Sequence, residues 1–148
     1  MGLNEAILEV LALTHGDVVQ HGVAVQTHLA EGLPRIHGDR VQLQQVLLNL
    51  ILNAVEAMSG VSEGARELRI GTGPDAAGGV LVTVQDSGPG LPPESVDRLF
   101  DAFYTTKPGG MGMGLAICRS IVEAHGGQIW AARAAGPGAT VQFTLPGG

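Results

Sequence analysis

A capped amphipathic helix beginning at Asp39 is the pattern that most restricts how this chain of 148 residues can fold. Asp39 is a favourable N-cap, and Gln42, three residues on, completes a capping-box pattern. Apolar residues then recur at helical spacing along one side of the helix: Leu43, Leu47, Leu50, Ile51, Ala54 and Met58. Such a helix buries its apolar side, so the rest of the chain must supply a sheet or further helices to cover it.

The remaining segments supply those elements. Alternating, β-rich stretches predict five strands, over residues 23–29, 67–71, 79–85, 128–133 and 139–145. Helical spacing predicts an entry helix within residues 1–20, with Asn4 as its cap, and another helix over 115–125 that ends at Gly126. A short helix near 94–100 completes the set.

The order of these elements predicts the architecture. Strands that follow each other directly along the chain favour antiparallel pairing, and helices between strands cover a sheet face. We therefore expect one α/β (α+β) domain over residues 1–148. It is a two-layer sandwich with about three helices on one face of a mixed, largely antiparallel sheet. Residues 104–113, rich in Gly and Pro, predict a mobile loop.

Composition excludes several classes of function. The chain has a net charge of −6 and only eight basic residues, which argues against a nucleic-acid partner. Cys118 is the single cysteine, so neither a disulfide framework nor a cysteine zinc site is expected. Without an apolar run of membrane-spanning length or a signal peptide, we expect a cytoplasmic domain that makes no membrane contact. An acidic domain that binds a polyphosphate must hold it locally, through backbone N–H groups, helix N-termini or a metal.

Asn49 and Asn53 share one side of the helix that Asp39 begins, because they are four residues apart. Asparagine lowers helix propensity, so two of them in a leucine-rich helix need a reason. One reading is a solvated polar side, continued by Gln42 and Gln45. The other is the wall of a site, since an amide oxygen is a suitable neutral ligand for Mg²⁺ that arrives with nucleotide phosphates.

Asp86 follows the run from Val80 to Gln85 and is in phase with its valines, so it points inward if the valine side faces the core. A buried carboxylate needs hydrogen-bond donors. The exocyclic amino group of adenine is one, whereas guanine has an acceptor at the matching position. Gly88 and Gly90 would leave room for a flat base. The alternative is an ordinary turn, which Asp and Gly also favour.

A glycine-rich segment directly before the helix at 115 is a candidate phosphate site. Gly110, Gly112 and Gly114 would let backbone N–H groups face an anion at the helix N-terminus. The spacing matches neither a P-loop nor a dinucleotide fingerprint. A flexible hinge loop is the alternative. Lys107, the only lysine, is either a phosphate contact or a solvated side chain.

Taken in order, these segments resemble the GHKL ATPase superfamily, with its Bergerat ATP-binding fold, and within it the sensor histidine kinases. The resembling stretches are 44–54 for the N box, 86–90 for G1, 99–107 for the F box, 110–115 for G2 and 138–140 for G3. The Tyr-Thr-Thr-Lys-Pro run and the Glu-Ala-His-Gly-Gly ending are similar to kinases of the oxygen- and dicarboxylate-sensing kind.

The resemblance implies ATP and Mg²⁺ as cofactors, with residues 104–113 as the ATP lid. Asn53 would ligate Mg²⁺ and Asp86 would hold the adenine amino group, while Asn49 and Lys107 would be the catalytic residues. The remaining implied nucleotide contacts are Gly88, Gly90, Leu91, Gly110, Gly112, Met113, Gly114, Leu115 and Thr140. Two positions depart from the family pattern, because Glu56 and Ala57 stand where many kinases have a basic and then an aromatic residue.

The family resemblance also implies partners. A histidine kinase phosphorylates a histidine on a helical dimerisation hairpin, usually followed by Glu or Asp, and passes the phosphoryl to a response-regulator receiver domain. None of the five histidines here fits: His15, His21, His37 and His125 precede Gly, and His28 precedes Leu. We therefore expect the acceptor hairpin to be absent from this sequence.

Other functions on the same fold remain open at this point. One is a non-catalytic ATP-binding regulatory module, and another is a serine kinase. A third is a clamp ATPase of the gyrase or Hsp90 kind. Those ATPases have Glu at the position of Asn49, and an amide cannot accept a proton at neutral pH. Slow hydrolysis is therefore expected, which favours phosphotransfer over hydrolysis.

Overall fold

The computed structural model describes residues 2–59, 66–87, 114–133 and 139–147, and these contain four helices and five strands. In chain order the elements are α1 Leu3–Leu13, α2 His15–Gln20, β1 Val23–Leu29, α3 Arg40–Ser59, β2 Arg66–Pro74, β3 Val80–Asp86, α4 Gly114–Ala124, β4 Gln128–Arg133 and β5 Ala139–Leu145. The short helix predicted at 94–100 and the lid predicted at 104–113 lie outside the described residues. No helix in the described part is long and apolar enough to cross a membrane.

The strands form one sheet in the order β1-β2-β3-β5-β4. β1 pairs parallel with β2, and the other three pairings are antiparallel. The predicted mixed, largely antiparallel sheet is therefore confirmed. The parallel pair follows from connectivity, because the long α3 crosses between β1 and β2 and carries the chain back to the starting edge.

The core lies between this sheet and the helices. Along β3, Val80, Val82 and Val84 are buried and alternate with half-buried residues, as predicted. All six residues of the predicted apolar side of α3 are buried, but so are Val46 and Val55. The buried part of α3 is wider than predicted because the helix packs against α1 and α4 as well as the sheet.

The single entry helix predicted for the N-terminus is wrong, because the chain forms two helices that meet at Thr14. The buried Thr14 hydroxyl donates to the carbonyl oxygens of Val10 at 3.0 Å and Leu11 at 3.3 Å. A threonine that hydrogen-bonds back to the preceding turn competes with the regular helical pattern. The chain therefore turns between α1 and α2.

Asn4 does not cap the entry helix. It lies inside α1, where its Nδ2 donates to the carbonyl oxygen of Ala30 at 2.7 Å and its Oδ1 accepts from the Thr72 hydroxyl at 2.9 Å. Both partners are distant in sequence. Asn4 therefore joins the start of α1 to the far ends of β1 and β2, which holds the helix on the sheet.

Of the two hydrogen bonds of the capping box predicted at the start of α3, the structure has one. The Asp39 carboxylate accepts from the backbone N–H of Gln42 at 3.1 Å, as an N-cap should. The backbone N–H of Asp39 donates instead to Nε2 of His125, at 3.0 Å. The start of α3 is thus joined to the residue that follows α4.

Candidate nucleotide site

Asp86 ends β3 on the side of the sheet that faces the helices, in phase with the three buried valines. It is 9% exposed and pairs in register with Leu68 of β2. The predicted inward orientation of this carboxylate is therefore confirmed. A carboxylate whose position is fixed at a strand end on the core side is a hydrogen-bond acceptor of defined direction, which is the property expected of a specific hydrogen-bonding site.

Ser87 fixes the end of β3 to its neighbours, a role that the sequence analysis missed. Its hydroxyl accepts from the backbone N–H of Glu67 at 2.8 Å and donates to Sδ of Met58 at 3.5 Å. One side chain thus connects β3, the start of β2 and the last turn of α3. The sequence around Ser87 carries no signal for this role, because both partners are distant along the chain.

Asn49 and Asn53 are half-buried on α3, and Gln42 and Gln45 are exposed. Of these four polar residues, the two nearer the start of the helix are therefore solvated and the two near its middle are more enclosed. Asn53 lies about one and a half turns before Met58, whose sulfur contacts Ser87 beside Asp86. The amide of Asn53 and the carboxylate of Asp86 thus belong to the same end of the molecule.

Cys118 of α4 lies against α3 at the level of Asn49. Its side chain is fully buried, and its Sγ donates to the carbonyl oxygen of Val46 at 3.7 Å. Burial raises the pKa of the Cys118 thiol to about 11, and a hydrogen bond from Asn49 offsets part of that effect. Cys118 is therefore a buried packing residue that is also a hydrogen-bond partner for Asn49.

The start of α4 faces the part of α3 that carries the two asparagines. Cys118 contacts Val46, and His125, beyond the other end of α4, contacts Asp39. The two helices are therefore antiparallel. Gly114, the first residue of α4, lies about one turn before Cys118, on the side toward Asn49 and Asn53. The positive end of the α4 dipole is thus directed toward this end of the molecule.

Thr140 is buried at the start of β5, with 9% of its surface exposed, and pairs with Gln85 of β3. Directly paired residues lie on the same face of a sheet, so the Thr140 side chain shares a face with Gln85. Asp86 is on the other face. The structure thus brings Thr140 next to Asp86 along the sheet but directs the two side chains differently.

The other predicted nucleotide contacts are only partly described. Gly114 and Leu115 form the first positions of α4, one residue earlier than the helix start predicted from sequence. Seven predicted contacts lie outside the described residues: Gly88, Gly90, Leu91, Lys107, Gly110, Gly112 and Met113. The described part of the site therefore consists of the strand end, the asparagine side of α3 and the N-terminus of α4.

The donors present suit a magnesium ion that is carried mainly by nucleotide phosphates. In the described ranges, no three His, Cys, Asp or Glu residues are grouped so that they could hold a metal ion. Asn53 offers one neutral amide oxygen, and Mg²⁺ commonly takes one or two protein oxygens together with phosphates and waters. This donor set fits Mg·ATP better than a permanently bound metal.

Residues 38–148 match the family described as histidine kinase-, DNA gyrase B-, and HSP90-like ATPase. The chain is 44% identical over 144 residues to the sensor protein FixL of Bradyrhizobium diazoefficiens, covering 97% of this chain and 28% of that protein. It is 43% identical over 127 residues to the sensor histidine kinase TmoS of Ectopseudomonas mendocina, covering 85% of this chain and 13% of that protein. The chain thus spans well under a third of these relatives.

Solved structures agree with the sequence relatives. The catalytic domain of the histidine kinase ThkA superimposes with a TM-score of 0.85 at 34% identity, over 99% of this chain and 93% of that one. Full-length ShkA in complex with AMPPNP gives a TM-score of 0.86 at 29% identity, over 99% of this chain and 30% of that one. ThkA in complex with the response regulator protein TrrA gives 0.83 at 32% identity, over 100% and 41%.

Proposed function

The chain belongs to the family of histidine kinase-, DNA gyrase B- and HSP90-like ATPases, and from that premise we propose that it is the ATP-binding catalytic domain of a two-component sensor histidine kinase. Its named relatives include sensor histidine kinases, and the catalytic domain of ThkA matches it over nearly its full length. The resemblance stated from the sequence boxes is thereby confirmed at the level of family and fold.

The observation that carries the proposal is the buried carboxylate of Asp86 at the helix-facing end of β3. Its oxygens can accept a hydrogen bond from the adenine amino group, whereas guanine would place an acceptor against them. Support for an adenine nucleotide also comes from ShkA, a structural neighbour in complex with AMPPNP, which is an ATP analogue. Asp86 is therefore assigned to adenine selection.

The triphosphate would lie between the asparagine side of α3 and the start of α4. Backbone N–H groups at the N-terminus of α4 would face the phosphates, and the helix dipole favours negative charge there. Asn53 would hold Mg²⁺, which neutralises charge on the transferring phosphoryl group when it is bound. Lys107 and Gly110 to Met113 are proposed to complete the phosphate contacts, with Gly88, Gly90, Leu91 and Thr140 near the base.

The phosphoryl acceptor is proposed to be a histidine on a separate dimerisation hairpin. A ring nitrogen of that histidine attacks the γ-phosphorus, the bond to the β,γ-bridging oxygen breaks, and ADP leaves. The domain contributes positioning and charge stabilisation to this step. Transfer to an aspartate of a receiver domain would follow in the cytoplasm, and the neighbour ThkA is known in complex with a response regulator protein.

Asn49 bears on the choice between kinase and ATPase. It is half-buried and hydrogen-bonded to Cys118, so its amide is held in place on α3. An amide does not take a proton from water, and the chain therefore lacks at this position the general base that would make hydrolysis fast. This favours phosphotransfer over a clamp ATPase. A non-catalytic ATP-binding module is the second candidate, favoured by Glu56 and Ala57.

Labelled ATP distinguishes these functions. The purified chain would be incubated with [γ-³²P]ATP and Mg²⁺, with and without a histidine-bearing hairpin of the kinase family supplied in trans. We expect acid-labile label on the hairpin histidine, no label on the chain itself, and phosphate release at background. Asp86→Asn should abolish transfer, and Asp17→Asn, an exposed carboxylate on α2, should not.

The other outcomes each identify a rival. Steady phosphate release from the isolated chain would establish a clamp ATPase. Label on one of the five histidines of this chain would contradict the assignment of a separate acceptor. ATP binding without transfer to hairpins from several relatives would establish the regulatory module.

A further inference from the structure

His125 has two hydrogen bonds that join the end of α4 to the start of α3. Its Nδ1 lies 2.8 Å from the carbonyl oxygen of Ile121, one turn earlier. Its Nε2 accepts from the backbone N–H of Asp39 at 3.0 Å, 86 residues away in sequence. The ring therefore donates at Nδ1 and accepts at Nε2, which is the arrangement of one neutral tautomer.

The backbone around His125 is shaped for this contact. The N–H groups of Gly126 and Gly127 bond to the carbonyl oxygens of Glu123 and Val122, and Gly126 has a φ of 82°, which forms a Schellman ending for α4. On the other side, a Cβ at Gly38 would lie 2.6 Å from Cδ2 and 2.9 Å from Nε2 of His125. The lack of a side chain at position 38 leaves the room that the imidazole occupies.

A second polar contact lies between the same two helices. Cys118 donates to the carbonyl oxygen of Val46, about two turns from the contact between His125 and Asp39 on each helix. Two contacts separated in this way fix both the position of α4 along α3 and its rotation. The N-terminus of α4 extends beyond both contacts and lies beside Asn49 and Asn53.

We propose that His125 is a positioning residue for the nucleotide phosphates: by fixing the end of α4 to Asp39, it sets where the N-terminus of α4 lies relative to Asn53. This inference rests on the function proposed above. A shift of α4 would change the contacts of the triphosphate, which lies at its N-terminus. It would leave the adenine contact largely unchanged, since Asp86 is held by β3 and Ser87.

Two variants remove the contact from opposite sides. His125→Phe keeps a ring of similar size but neither donates nor accepts. Gly38→Ala pushes the imidazole away while His125 itself is unchanged, and Gly38 is not among the described glycines with positive φ, so alanine is compatible with its backbone. The matched control is His21→Phe, because Nδ1 of His21 lies 2.8 Å from the carbonyl oxygen of Asp17 at the end of α2, the same local contact at another helix.

The measurement is the affinity of each folded variant for Mg·ATP and for adenosine, by calorimetry, after circular dichroism has verified the fold. For His125→Phe and Gly38→Ala we expect ATP binding to weaken roughly threefold to tenfold, as for one lost hydrogen bond, while adenosine binding stays within about twofold. His21→Phe should change neither.

Equal weakening of ATP and adenosine, or no weakening of either in a folded variant, would overturn the positioning role. Because Gly38→Ala and His125→Phe break the same contact independently, failure of one variant to fold leaves the other to decide. If the wild-type chain bound neither ligand, the proposed function would fail and this inference with it.

Discussion

Helix α3 has two helical neighbours, α1 and α4, and they hold it in different ways. α1 packs on it with fully buried side chains that include Ile7 and Val10. At the rim of that contact, Nη2 of Arg40 lies 2.6 Å from Oε1 of Glu9. Nε2 of Gln44 also donates to Oε2 of Glu9 at 2.7 Å and, at the longer distance of 3.4 Å, to the carbonyl oxygen of Ala6. On the other side, α4 and the residue that follows it meet α3 through hydrogen bonds from the Cys118 thiol and to the His125 ring.

The difference is one of geometric specificity. Burial of apolar surface is not directional, and an exposed ion pair between long side chains does little to fix the position of one helix relative to the other. Hydrogen bonds to single backbone atoms are directional, and on the α1 side such a bond comes from the long, flexible side chain of Gln44. On the α4 side there are two, about two turns apart on each helix, and together they specify one alignment of the two helices. The interface that is aligned in this way is the one between α3 and α4, and α4 begins at the predicted phosphate-binding segment. We infer that α1 mainly stabilises the domain, whereas α4 is aligned for the site.

The largest expected effect is on stability, at the α1 side. Ile7→Ala removes a fully buried side chain and should lower the free energy of unfolding by about 2–5 kcal/mol. The ATP affinity of the folded variant should be unchanged, because α1 carries no predicted nucleotide contact. Urea unfolding and calorimetry measure the two quantities.

The control for that variant is Leu8→Ala, on the same helix but 53% exposed, which should change stability by less than about 0.5 kcal/mol. A marked loss of ATP affinity in fully folded Ile7→Ala would show that the α1 interface also aligns the site, which would contradict the distinction drawn between α1 and α4.

An intermediate effect is expected from Cys118 at alkaline pH. Its pKa is about 11 in the folded chain against an ordinary value of 9.0. Between these values the unfolded chain has lost the thiol proton and the folded chain has kept it, so stability falls as pH rises. The slope from this group reaches at most about 1.4 kcal/mol per pH unit. It should be absent in Cys118→Ser, compared by urea unfolding from pH 7 to 11.

If the wild-type chain and Cys118→Ser lost stability in parallel across that range, the thiol would not be buried against α3 as described. The same burial predicts that the native thiol resists labelling at pH 8 and reacts after unfolding.

The smallest effect is expected from the exposed ion pair. The hydrogen bond from Arg40, followed by that from Gln44, lowers the pKa of Glu9 below 4.5. Its contribution to stability is therefore present above the pKa of the unfolded chain and is lost as pH falls through the folded pKa. Glu9→Gln should shift the urea midpoint at neutral pH only slightly, and less at high salt.

Glu31→Gln, an exposed carboxylate in the loop after β1, is the reference for that comparison. A shift for Glu9→Gln as large as that for Ile7→Ala would show that the rim of the α1 interface is as specific as the α4 interface.

Much of the fold and the strand part of the site follow from local pattern. The alternation along Val80 to Gln85 predicts both the buried face of β3 and the inward position of Asp86, because strand geometry repeats every two residues. The spacing of leucines predicts which side of α3 is buried. The same helical period places the two asparagines on one side of α3, where both are half-buried.

The features that sequence could not provide depend on distant partners. Asn4 looked like a cap, but its partners Ala30 and Thr72 come from the ends of two strands. His125 appeared in the sequence only as a histidine before a glycine, whereas in the folded chain its Nε2 accepts from the backbone N–H of Asp39, 86 positions away. The position of Thr140 on the Gln85 face required the register of β5. Such contacts exist only once the chain is folded.

The central claim is that Asp86 selects an adenine nucleotide, and a calorimetric titration of the chain with ATP and with GTP in Mg²⁺ tests it most directly. The wild-type chain and Asp17→Asn should bind ATP and reject GTP. Asp86→Asn should weaken ATP binding by at least about tenfold, because a hydrogen bond to a buried charge is lost. Equal binding of ATP and GTP by the wild-type chain, or an unchanged ATP affinity in Asp86→Asn, would contradict the account.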